Sequence, residues 1–144
     1  MKFDYFKFPL DEKSTISERK SHLRPVIPLQ IKAENGLQIG YYVLIDSGAD
    51  FCIFHGEIGE AIGIDVKSGP KTSFGGVQAS NKQCVGYAHS VCLVVGGHEI
   101  PSRVCFSYDI DQRNGYAIVG QHGFFDSFKV RFELLKERVE LDPI

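Results

Sequence analysis

Asp46 is the residue best suited to chemistry. It follows the apolar run Tyr41-Tyr42-Val43-Leu44-Ile45 and opens the turn-forming stretch Asp46-Ser47-Gly48-Ala49-Asp50. An unpaired carboxylate in an apolar setting is costly, so its surroundings must satisfy it. Gly48 permits a tight turn that aims backbone amides at the carboxylate. The Ser47 hydroxyl can donate or accept a hydrogen bond across to a facing copy of the same loop. These features suit a carboxylate held in one fixed orientation, although a lone Asp-Ser-Gly is more often an Asx turn or a helix cap. Other reactive side chains offer less. His22, His55, His89, His98 and His122 show no ligand spacing and read as surface or loop residues. Cys52 lies near Asp46 but sits between Phe51 and Ile53, as a small buried hydrophobe rather than a nucleophile.

The elements that must position Asp46 read as strands. Residues 26–33 alternate apolar and polar, and Glu34-Asn35-Gly36 is a hairpin signal. Residues 37–45 return as a second strand, whose end at 41–45 suits burial on both faces. Residues 51–54 resume a strand, and 55–63 form a short helix stopped by glycine. Strands follow at 71–74, 83–88, 90–95 and 100–106, the last two joined by Gly96-Gly97. Residues 116–120 form another buried strand, 123–128 a short helical segment, and 129–133 with 138–141 a closing strand pair. Strands at a spacing of roughly 8–12 residues with little helix indicate an all-β sandwich or barrel.

A chain of 144 residues, 43% hydrophobic and 24% charged, predicts one domain with a real core. Residues 1–23 read as an N-terminal arm, aromatic and strand-like at 3–8 and polar at 11–22; residues 24–144 form the domain. A net charge of -2 without a basic cluster argues against nucleic acid as a partner. No run approaches the roughly 20 apolar residues of a membrane span. The first residues carry acids and lack an uninterrupted apolar segment, unlike a secretory signal. Cys52, Cys84, Cys92 and Cys105 form no C-x-x-C pair, so no metal site is expected, and buried free thiols fit a reducing compartment. The expectation is a soluble, cytoplasmic protein.

Four elements together resemble a known family. Asp46-Ser47-Gly48-Ala49-Asp50 is similar to the D-[TS]-G-A-D signature of retropepsins, the retroviral-type aspartic peptidases. Arg24-Pro25 resembles the dipeptide that opens their first core strand. Phe74-Gly75-Gly76-Val77 resembles the tip of the flap hairpin that covers substrate. Ile118-Val119-Gly120, followed by Phe124-Phe125-Asp126, resembles the element before their helix. The likeness spans residues 24–141 with somewhat longer spacing between motifs. It implies an all-β, closed acid-protease-type barrel, one lobe per chain, with a flap hairpin and one or two short helices. It also implies an aspartic endopeptidase needing no metal or cofactor. Two aspartates flank one water and share a proton, because like charges so close cannot both ionise. A chain with one D-S-G, too short for two lobes, takes its second Asp46 from another copy in a homodimer.

By the same resemblance Ser47 and Gly48 support the catalytic loop. Gly48, Ala49 and Asp50 line the cleft for an extended peptide, with Phe74, Gly75, Gly76, Val77, Tyr116 and Ile118 as flap and pocket residues. Arg24 pairs with Asp50 of the partner subunit. Two departures stand out. Gln121-His122 follows Gly120 where the retroviral pattern has Arg-Asn, which removes the arginine expected to steady Asp50. The strand pair at the C-terminus is more like half of a pepsin-like enzyme. An inactive peptide-binding or dimerisation module on the same fold is the alternative reading.

Overall fold

In the computed structural model, which describes residues 1–75 and 83–144, twelve strands surround one apolar core. They are β1 (Lys2–Asp4), β2 (Phe6–Pro9), β3 (Ser21–Arg24), β4 (Val26–Lys32), β5 (Gln38–Ile45), β6 (Ile53–His55), β7 (Lys71–Phe74), β8 (Cys84–Val95), β9 (His98–Ser107), β10 (Ala117–Val119), β11 (Phe128–Glu133) and β12 (Arg138–Pro143). Among the described residues the single α-helix is α1 (Gly56–Ala61), whose first turn is capped by the His55 ring accepting the Glu57 N–H.

Alternation builds the main sheet. Ile27, Leu29 and Ile31 of β4 point inward while Pro28 and Gln30 face out. Val43 and Ile45 of β5, Leu93 and Val95 of β8, and Ala117 and Val119 of β10 fill the same interior. Each large aliphatic side chain so buried contributes about 1.5–3 kcal/mol. The sheet runs β4-β5-β10-β6-β9-β8-β7, and β4 also pairs with β8, so the ladder returns on itself and leaves β7 outside as the hairpin partner of β8. Two pairings are parallel, β10 with β5 and β6 with β9.

The N-terminal residues belong to two further sheets. β1 pairs with β12, which pairs with β11, and the Met1 ammonium donates to the Leu141 carbonyl at 2.7 Å. β2 pairs with β3. The single strand expected at 3–8 is broken at Tyr5, whose ring enters the core and whose N–H donates to the Glu137 carbonyl.

Three expectations are corrected. The run 41–45 is not buried on both faces: Tyr42 is 49% exposed and Leu44 half-buried. On its outer face the N-terminal arm brings Phe6 to 6.0 Å from the Tyr42 ring. The segments 83–88 and 90–95 are one strand, because β9 pairs with β8 straight through His89. Residues 123–127 form turns and no helix. Gly123 takes φ +95°, and its N–H goes to the Asp126 carboxylate, so no helical ladder starts there. The buried rings of Phe124 and Phe128 then pack tilted against each other, their centroids 5.1 Å apart.

Candidate active site

β5 ends at Ile45, whose N–H donates to the Pro25 carbonyl at 3.0 Å, so Arg24-Pro25 sits beside the end of the strand. The next residue, Asp46, donates its N–H to the Val119 carbonyl of β10 at 3.0 Å. From there the chain turns: the Ala49 N–H reaches the Asp46 carbonyl, and the Gly48 N–H reaches Asp46 Oδ1 at 2.9 Å. This second bond is the amide-to-carboxylate contact that the glycine permits.

The loop is stitched to the segment that follows β10. Gln121 N–H donates to the Ala49 carbonyl and His122 N–H to the Asp50 carbonyl, each at 2.9 Å. Gln121 Nε2 donates to the Ser47 carbonyl at 3.0 Å. The crossing is close enough that a Cβ on Gly120 would lie 2.5 Å from the Ala49 carbonyl oxygen, which requires glycine there. Asp46 and Ala49 are half-buried, whereas Ser47, Gly48 and Asp50 are exposed.

Phe74, Tyr116 and Ile118, also singled out in the sequence, belong to β7, to the approach to β10 and to β10 itself. Phe74, at the end of β7, meets Phe51 edge-to-face at 5.9 Å, and so lies against the residue after Asp50. Gly75 follows it, exposed; Gly76 and Val77 lie outside the described residues. Ile118 pairs with Leu44 on one side and Ile53 on the other. Tyr116 precedes β10, and its hydroxyl accepts a hydrogen bond from Arg24 Nη1 at 2.8 Å. The Arg24 guanidinium also lies 4.8 Å from the Phe8 ring. Within one chain, then, Arg24 engages Tyr116 and Phe8.

Gln121 was seen in the sequence only as a departure from the retroviral pattern. Its side chain serves Ser47 rather than Asp50, so it braces the loop by another route. The thiol beside the loop is inert by its setting. Burial pushes Cys52 up to about 11, and burial likewise raises Cys105 to about 11. Cys84 and Cys92 are half-buried, so full burial of the thiols holds only for Cys52 and Cys105.

The concavity of about 530 Å³ lined by Pro28, Gln30, Tyr42 and Gly97 lies apart from the Asp46 loop. No helix among the described residues is long and apolar enough to cross a membrane.

No protein-family model and no curated protein matches the sequence. Solved structures do. The retroviral protease-like domain of Ddi1 from Leishmania major matches with a TM-score of 0.57 and 19% identity, over 84% of this chain and 90% of that one. A retropepsin-like aspartic protease from Rickettsia conorii matches with a TM-score of 0.56 and 17% identity, over 79% of this chain and 88% of that one. At such identities the likeness is one of fold: this chain has the retropepsin-like, all-β fold of the aspartic proteases.

Proposed function

We propose that the protein is a cytoplasmic aspartic endopeptidase that works as a homodimer, with one Asp46 from each copy. The observation that carries this reading is the state of the Asp46 carboxylate. Oδ1 is held by the Gly48 N–H, Oδ2 has no hydrogen-bond partner among the described residues, and Asp46 is half-buried at the end of a braced loop. A carboxylate oriented on one side and free on the other can hold a water against a second carboxylate. One Asp46 takes a proton from that water as its oxygen attacks the peptide carbonyl. The other, protonated, donates a hydrogen bond to the developing oxyanion. In this reading a second copy supplies the other wall of the cleft for a peptide strand.

The test is Asp46→Asn against a diverse peptide library read by mass spectrometry. Cleavage should fall by about 10²–10⁴-fold, the typical worth of a positioned acid or base, with the dimer intact by sedimentation. An unchanged cleavage rate would sink the reading. A second reading is favoured by Gln121 standing where arginine is expected: a peptide-binding module without turnover. Peptides retained by the wild-type protein yet never cut, from mildly acidic to neutral pH, would select it.

A further inference from the structure

We infer that Ser107 and Asp109 fix the direction in which the arms of the β7–β8 hairpin leave the barrel, and so position those arms for a peptide strand at the Asp46 loop. The functional half of this inference rests on the peptidase reading; the structural half stands on geometry alone.

β8 keeps β9 as a partner only as far as Tyr87, which faces Phe106 of β9 on one side and Lys71 of β7 on the other. Beyond it, Val85 and Cys84 keep β7 as their partner through Ser73 and Phe74, while β9 has ended its pairing. A strand leaving a sheet in this way would expose its backbone groups on one side. Here two side chains replace the missing strand. The Val85 N–H donates to Asp109 Oδ2 at 2.8 Å, and the Val85 carbonyl accepts from Ser107 Oγ at 2.6 Å. The same Ser107 Oγ accepts the Asp109 N–H at 3.1 Å, which locks the two clamping residues to each other.

Ser107 is itself anchored. It is fully buried at the end of β9 and faces His55 of β6 in the parallel ladder. A buried hydroxyl with both its donor and its acceptor engaged has little freedom to rotate. The clamp thus joins a rigid barrel strand to one arm of the hairpin. The other arm is held by the Phe74 ring against Phe51, one residue beyond Asp50. Together these contacts set where the arms stand relative to the loop that carries Asp46. A strand that lies beside such arms takes its main-chain bonds from them, so their angle controls binding more than chemistry.

The test compares Asp109→Ala and Asp109→Asn in the full-length protein. Asp109 is exposed, so its removal leaves the core untouched. Two quantities are measured: amide hydrogen exchange at Val85, with residues 91–95 as internal reference, and KM with kcat for a cleaved peptide. Asp109→Ala should speed exchange at Val85 by about tenfold, the loss of one charge-assisted bond, and leave 91–95 unchanged. It should raise KM by a similar factor with kcat within about twofold. Asp109→Asn, whose amide oxygen still accepts the Val85 N–H, should recover most of both. Unchanged exchange at Val85, or faster exchange with unchanged KM, overturns the inference. A purely structural role would speed exchange at 91–95 as well. If the wild-type protein cleaves nothing, the peptidase reading falls separately. The positioning role is then judged by affinity for an uncut peptide, where an unchanged affinity in Asp109→Ala, or no binding by the wild-type protein, overturns it.

Discussion

Gln121 holds the Asp46 loop twice, by its backbone N–H to Ala49 and by its side-chain amide to Ser47. Gln121→Ala removes only the second bond. Stability should fall by about 0.5–1.5 kcal/mol, the worth of one hydrogen bond, while kcat falls by about tenfold as the carboxylate loses its fixed aim. Thermal unfolding and single-peptide kinetics check the two effects; an unchanged kcat would deny Gln121 its bracing role. Gly120→Ala should be harsher, because its Cβ would press on the Ala49 carbonyl oxygen, and a loss of about 1–3 kcal/mol is expected from such crowding. Cys52 and Cys105, both raised by burial, should resist alkylation in the native protein at neutral pH and react once it is unfolded. Mass mapping that finds Cys52 modified as fast as Cys84 would contradict this. The turn at Asp46 was legible in the sequence because its signature is local and ends an apolar run. The role of Gln121 was not, because it acts on a residue 74 positions away, and only the crossing of two loops brings them together.

Most strands were visible as alternation or as apolar runs between turn signals, and so was the Gly96-Gly97 turn that joins two of them. What alternation could not reveal was coverage. The outer face of β5 depends on an N-terminal arm whose docking no local pattern encodes. The turns at 123–127 have a helix-like composition, and the conformation of Gly123 with the Asp126 carboxylate decides against a helix. The sheet β1-β12-β11 carries an outer face of paired charges: Glu140 lies 3.2 Å from Arg131 and 2.9 Å from Arg138, and Glu133 lies 3.0 Å from Lys136 and 2.9 Å from Arg138. The hydrogen bond from Lys136, followed by that from Arg138, holds the Glu133 carboxyl below its ordinary value. A carboxyl lowered on folding stabilises above its unfolded pKa and loses that contribution as pH falls through the folded value. Glu133→Gln should therefore lower the melting temperature slightly near neutrality and flatten its decline in acid. An acid limb identical to wild type would show that the pair contributes nothing, as exposed pairs often do.

A whole chain with one Asp46 and a retropepsin-like fold poses a question of stoichiometry. Fold was within reach of the sequence because four separated motifs fall in the right order. The proposed pairing of two Asp46 loops, expected from the single D-S-G, concerns a second copy that one chain's own contacts do not reach. If two copies build the site, specific activity should rise with protein concentration until the dimer saturates. The most direct test mixes wild type with Asp46→Asn at constant total protein, after exchange of subunits. Each active site would need two wild-type copies, so an equal mixture should retain about one quarter of the activity of pure wild type. Retention of about one half, the value for chains that act alone, would contradict an Asp46 that faces its own twin.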